Sequence, residues 1–181
     1  CLRRPKSGQA GARNNKMDSP AFQGKYELLE QIGAGSYSRV FRALNRETHE
    51  LVAVKVVDAS RLSSKLNAQQ ASKDRQRLVN EVQIMQSLSH PNIVCLKECF
   101  DSRLSVALVM ELAQGGELFS KLVQSGKLTE GTARSIVRQV LLALQYLHTN
   151  DIIHRDVKPE NILLQVVGDN TVNVKVSDFG L

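Results

Sequence analysis

From Tyr26 onward, apolar and polar positions alternate in short runs separated by turn residues. This two-residue period predicts strands over residues 26–32, 38–45 and 50–58. Residues 59–74 are polar, rich in Ser, Gln and Lys, and read as a loop with room for a helical turn. Leu78, Val82, Met85 and Leu88 then recur at spacings of four and three, one apolar stripe of a helix that Pro91 ends. Strands are expected over 94–100 and 105–111, around a turn at 101–103. Gly115-Gly116 marks a break, and a short helix should run to Gly126, a plausible residue just past a helix end. Thr129 can cap a long helix whose buried side is predicted to be Ala133, Ile136, Val137, Val140, Leu141, Leu144 and Leu147. Apolar runs at 152–153, 162–164 and 172–176 follow, with a Gly168-Asp169-Asn170 turn before the last. A strand-rich half followed by a helix-rich half predicts an α+β chain of two lobes joined near residues 112–116.

Composition narrows this picture without redirecting it. At 181 residues, 42% hydrophobic and 23% charged, the chain has room for one domain or two small lobes. The net charge of +6 is not spread evenly. Residues 1–16 hold Arg3, Arg4, Lys6, Arg13 and Lys16 and no acid, while the remainder carries 19 basic and 18 acidic side chains. Residues 1–24 are therefore expected to be a basic, disordered tail, either plainly solvated or carrying a docking or localisation signal. A tail of this kind gives no reason to expect nucleic-acid binding. No apolar run approaches the roughly 18 residues of a membrane span, so no membrane partner is expected. The chain opens on Cys1 rather than Met, which suggests a fragment or a processed product. Cys95 and Cys99 lie four apart on a strand-like stretch and should face one side. Without further His or Cys to complete a zinc set, they read as buried reduced thiols of a cytoplasmic or nuclear protein.

Candidate chemistry enters at four places. Gly33-Ala34-Gly35-Ser36-Tyr37-Ser38-Arg39-Val40 lies between two expected strands. Glycines let backbone N–H groups approach phosphate oxygens, although a glycine-bearing hairpin turn would look alike. Ser38 stands where a third glycine would complete the G-x-G-x-x-G pattern, and a strand rather than a helix follows, against a dinucleotide fold. Val52-Ala53-Val54-Lys55 puts a lysine within an apolar strand. A buried ammonium needs an anion, for which Glu81 is a candidate; otherwise Lys55 is simply exposed. His154-Arg155-Asp156-Val157-Lys158-Pro159-Glu160-Asn161 holds a carboxylate, an ammonium and an amide on one loop. Asp178-Phe179-Gly180 adds a second carboxylate after another strand. Asn161 and Asp178 are hard oxygen donors of the kind Mg²⁺ takes alongside phosphate and water.

These motifs, in this order, resemble the protein kinase superfamily over residues 26–181. The resemblance implies a β-rich lobe over 25–111, a hinge at 112–116, and part of a helical lobe over 117–181, truncated after Asp178-Phe179-Gly180. It implies that Gly33, Ala34, Gly35, Ser36, Tyr37 and Ser38 cover ATP phosphates, and that Ile32, Val40, Ala53 and Leu163 enclose the adenine. Met110 would be the gatekeeper, with Glu111 and Ala113 offering backbone to the purine edge. Lys55, paired with Glu81, would hold the α- and β-phosphates; Asp156 would accept the substrate proton; Lys158 would steady the γ-phosphate; Asn161 and Asp178 would bind Mg²⁺. Lys158 two residues after Asp156 is similar to the serine/threonine pattern. His90-Pro91-Asn92-Ile93-Val94 and Gly115-Gly116-Glu117-Leu118-Phe119 look like the calcium/calmodulin-dependent group, and the long stretch between Lys55 and Glu81 is similar to its checkpoint-kinase branch. In that group Glu117 and Glu160 would read arginine upstream of the target Ser/Thr. Arg155 beside Asp156 resembles kinases switched by activation-loop phosphorylation. The alternative expectation is a truncated inactive fragment or pseudokinase that binds nucleotide or partners without phosphotransfer.

Overall fold

The computed structural model describes residues 19–35, 38–58, 68–102, 105–167 and 171–178. The expected turn at 168–170, the Phe179-Gly180 pair, and Ser36 and Tyr37 lie outside the described residues.

Five antiparallel strands, β1 (Tyr26–Ala34), β2 (Ser38–Asn45), β3 (Leu51–Asp58), β4 (Leu96–Asp101) and β5 (Ser105–Glu111), form one sheet in the order β1-β2-β3-β5-β4. The two-residue period divides its faces. Val52, Val54 and Val56 of β3 and Ala107 and Val109 of β5 enter one cluster. Val57, Val106 and Leu108, one residue out of phase, enter another. Lys55 and Ala53 share the phase of Val57, so Lys55 points into the cleft below the sheet rather than to its outer face. A helix, α2 (Ala68–Ser87), packs beneath the sheet and delivers Met85 to the Val57 cluster, which Leu88 joins just past its end.

The second lobe contains α3 (Leu118–Ser125), α4 (Glu130–Thr149), a 3₁₀ turn (Pro159–Asn161) and the hairpin β6 (Ile162–Val167)–β7 (Thr171–Val176). Gly126 ends α3 at a φ of 70°, and the Thr129 side chain caps α4 by accepting from Thr132 N–H. Ile136, Val140, Ala143 and Leu147 form the buried stripe of α4, which packs with Leu164 and Val174 of the hairpin. The free edge of β7 is not left open. Gln139 of α4 accepts from Val174 N–H at 2.8 Å and donates to Val172 O at 3.1 Å. Asn92 donates to Val174 O at 3.0 Å, and Val94 N–H to Val176 O at 2.9 Å. Buried backbone groups are thereby satisfied by two side chains, Gln139 and Asn92, and by the backbone of Val94 from the first lobe.

Four sequence expectations change. Of the tail expected over 1–24, residues 1–18 lie outside the described residues, and its last residues enter a helix, α1 (Pro20–Lys25), capped by the Ser19 hydroxyl and held by Phe22. Phe22 is 2% exposed, stacks on Tyr26 at 5.6 Å between centroids and meets Phe100 edge-on at 5.5 Å. Lys25 pairs with Glu98 of β4 beside it. The expected loop over 59–74 is helical from Ala68, because residues 68–77 are good helix formers that lack an apolar stripe. Val137 and Leu141, expected in the core, are 55% and 59% exposed, since the hairpin covers a single stripe of α4. Cys95 is exposed and precedes β4, while Cys99 is partly buried; the irregularity between Leu96 and Glu98 breaks the phase that would have aligned them.

Phe22→Ala is expected to lower stability by about 3 kcal/mol, the usual cost of removing a buried aromatic ring. Urea denaturation followed by circular dichroism measures it; a change within error would show that α1 contributes nothing to the first lobe.

Candidate active site

The cleft between the lobes has a volume of about 560 Å³, within the rough range of 300–1,000 Å³ typical of small-molecule sites. Its roof is the underside of β1–β3, where Ile32, Gly33, Val40, Ala53 and Lys55 reach it. Its back is the end of β5 and the following linker, with Met110, Glu111, Leu112 and Ala113. Its floor and front include Leu163, Glu117, Glu160, Ser177 and Asp178. Arg42, Leu51 and Ser177 line it as well and were not singled out from sequence. Arg42 and Leu51 stand two residues from Val40 and Ala53, so the strand period alone could have found them.

Lys55 is the charged centre of this cleft. Its Nζ lies 2.5 Å from Asp178 Oδ1 and 4.0 Å from Glu81 Oε1. The Lys55 and Glu81 side chains are 21% and 18% exposed, that of Asp178 54%. Burial by itself lowers the Lys55 pKa, but the charge and hydrogen bond of Asp178, aided by Glu81, outweigh it and raise it above the ordinary lysine value. Burial raises the Glu81 carboxyl; the attraction of Lys55 opposes this, and the Asp178 charge adds to it. Lys55 therefore stays an ammonium, and Asp178 is its nearer partner.

The loop below is held by backbone and side-chain bonds that arrange its polar groups. His154 is buried, with Nε2 3.1 Å from Ser177 O, while its Nδ1 accepts from Asp156 N–H at 3.3 Å. Together these contacts require the Nε2–H tautomer. Asn161 Nδ2 donates to both Asp156 O and Asp156 Oδ2 at 2.9 Å, and Ser177 N–H donates to Asn161 O at 2.9 Å. Lys158 Nζ is 2.7 Å from Asp156 Oδ2. Arg155 and Asp178 adopt φ of 67° and 53°, a conformation that costs a non-glycine residue roughly 1–2 kcal/mol. The His154 and Asn161 bonds to Ser177 hold the chain where Asp178 turns back toward Lys55.

With both Nδ2 bonds directed to Asp156, no hydrogen bond from a described residue reaches the Asn161 Oδ1. That oxygen and the Asp178 carboxylate are hard donors, and no group of three or more His, Cys, Asp or Glu side chains placed to hold a metal ion occurs among the described residues. Such a pair suits a Mg²⁺ that shares its coordination with phosphate and water, rather than an all-protein cage. Of the described residues of the glycine segment, Gly33 and Val40 line the cleft; Ala34, Gly35 and Ser38 are not among its lining, and Gly35 N–H closes the hairpin onto Ser38 O at 2.8 Å. Behind the linker, Gly115 N–H donates to Leu164 O at 2.7 Å, and a Cβ at Gly115 would fall 2.5 Å from that oxygen. Only glycine lets linker and β6 approach so closely.

The hydrogen bond from Lys158, and then that from Asn161, hold the Asp156 carboxyl below the usual aspartate range. The ionised form is the one favoured by folding, so this stabilisation is complete above the ordinary aspartate pKa and disappears as pH falls through the lowered value. In Lys158→Ala the Asp156 titration, followed by carboxyl ¹³C NMR, is expected to move up toward the ordinary range; an unchanged midpoint would remove Lys158 as the cause.

Residues 26–181 match the protein kinase domain family. Myosin light chain kinase A of Dictyostelium discoideum is 41% identical over 157 residues, covering 86% of this chain and 50% of the relative. Calcium/calmodulin-dependent protein kinase type 1 of Macrobrachium nipponense is 39% identical over 163 residues, covering 90% of this chain and 44% of the relative. This chain thus spans half or less of the length of those relatives. The crystal structure of Rad53 1–466 in complex with AMP-PNP superposes with a TM-score of 0.73 at 33% identity, over 86% of this chain and 38% of that one. By sequence and fold, the chain belongs to the protein kinase family.

Proposed function

We propose that this chain forms the ATP-binding and catalytic-loop part of a serine/threonine protein kinase, which transfers the γ-phosphoryl group of MgATP to a protein Ser/Thr hydroxyl. One observation carries the reading: Lys55, Glu81 and Asp178, brought from β3, α2 and the end of β7, meet at the inner end of the cleft the linker backs. Rad53 with AMP-PNP, a structure of the same fold, supports a nucleotide in that cleft.

In this reading the backbone of Glu111 and Ala113 takes the purine edge, while Ile32, Val40, Ala53 and Leu163 enclose its faces. Lys55 binds the α- and β-phosphates, and Glu81 keeps its ammonium oriented. Asn161 and Asp178 would hold Mg²⁺, which when bound would neutralise phosphate charge. The substrate hydroxyl oxygen bonds to the γ-phosphorus as the bridge to ADP breaks, and ADP leaves with that electron pair. Asp156 orients the hydroxyl and takes its proton. A carboxyl held below the usual range is a weak base, which suits proton transfer late in a loose phosphoryl transition state. Lys158, 2.7 Å from Asp156, offers positive charge to the phosphoryl group in transit. Glu117 and Glu160 line the front of the cleft, where two carboxylates favour arginine upstream of the target residue. A cytoplasmic or nuclear site of action fits this chemistry.

Lys55→Met and Asp178→Ala are each expected to reduce phosphotransfer by at least about 10²-fold in a phosphocellulose assay of the complete catalytic domain, as for loss of a preorganised charge. Near-normal turnover in either would overturn the assignment. On a peptide array, replacing an arginine three residues before the acceptor by alanine is expected to cost about tenfold in kcat/KM, the scale of one charge-assisted contact. Equal phosphorylation of both peptides would remove the roles of Glu117 and Glu160.

A further inference from the structure

The Glu111 side chain is not used by the chemistry above, yet it is firmly engaged. Its Oε1 lies 2.8 Å from Lys175 Nζ and accepts from Cys95 N–H at 2.7 Å. Glu111 N–H donates in turn to Cys95 O at 3.0 Å. The Glu111 and Lys175 side chains are 20% and 12% exposed. Glu111 is the last residue of β5, where the linker begins, whereas Lys175 is on β7 of the other lobe, three residues before Asp178. Between them, Val94 N–H donates to Val176 O and Val176 N–H to Asn92 O, both at 2.9 Å. One carboxylate oxygen thus ties together the hinge strand, the segment leading to Cys95, and the strand that leads to Asp178. A mostly buried ion pair adds little stability over an apolar pair of the same volume. What it adds here is a fixed contact between the two lobes.

We propose that Glu111 and Lys175 form a positioning pair that sets the distance from the hinge backbone to the Asp178 carboxylate, so that one nucleotide can engage both ends of the cleft. The inference rests on the nucleotide reading above, in which the hinge takes the purine and Asp178 the phosphate end. Its consequence is selective. A ligand that touches only the hinge does not sense the spacing, whereas a ligand that spans hinge and Asp178 does.

Isothermal titration of the 181-residue chain with adenosine and with MgATP tests this. In Lys175→Met, MgATP affinity is expected to fall about tenfold while adenosine affinity stays within about twofold, and Lys175→Arg is expected to bring MgATP back to within about twofold. Equal weakening of both ligands, or unchanged MgATP affinity, overturns the proposal. If circular dichroism shows Lys175→Met unfolded, the same ratio is read from Lys175→Gln against Lys175→Arg; unfolding of Lys175→Gln as well makes the pair structural and also overturns it. Failure of the unsubstituted chain to bind MgATP would overturn the nucleotide reading itself, whereas binding without the selective loss removes the positioning pair alone.

Discussion

A charge placed on an apolar strand is the constraint around which this protein is arranged. β3 is buried on both faces, and Lys55 is the residue among Val54, Val56 and Val57 that cannot be left without an anion. No carboxylate near it in sequence can serve, since Asp58 is three residues on and ends the strand. The partners come from elsewhere: Glu81 from the middle of α2 and Asp178 from beyond β7. Satisfying one ammonium therefore requires that the helix lie under the sheet and that the second lobe close against the first. The cleft is the space left around that meeting point.

Backbone hydrogen bonding supplies the second requirement. A two-stranded hairpin such as β6–β7 is marginal alone, and its outer edge would carry unpaired groups. Gln139 and the 92–94 segment cover that edge, so β7 is held from both sides. Gly115 and Gly116 bond to Leu164 in the same manner, which attaches the end of the linker to the lower lobe. The carboxylate of Asp178 is consequently placed by strands and not by a free loop. His154 and Asn161 add the last contacts through Ser177, where the chain accepts a left-handed φ at Asp178.

Much of this was legible in the residues, and the failures have identifiable causes. The strands β2 and β5 fall where the alternation put them, α3 ends at the expected Gly126, and α4 begins after the expected Thr129. Six residues with one inward side chain, Phe22, give no period, so α1 could not be distinguished from the basic tail before it. The first half of α2 is polar all round, and its helicity shows in propensity and not in pattern. On α4 the pattern claimed too much: it identifies apolar residues, but which of them a neighbour covers depends on the width of that neighbour.

By itself the sequence determined the chemical inventory and the local elements: which side chains can bind phosphate or metal, which segments alternate by two and which by three and four. Those are short-range properties of the chain, and they singled out Lys55, Glu81, Asp156, Lys158, Asn161 and Asp178 as candidate groups while passing over Arg42, Leu51 and Ser177 of the cleft lining. Tertiary structure alone decided which groups meet. That Lys55 lies closer to Asp178 than to Glu81, that Gln139 completes the edge of β7, and that Glu111 pairs with Lys175 are all contacts between residues far apart in the chain. Each is a single polar residue without a period, and its partner is set by the packing of whole elements, which no local pattern encodes.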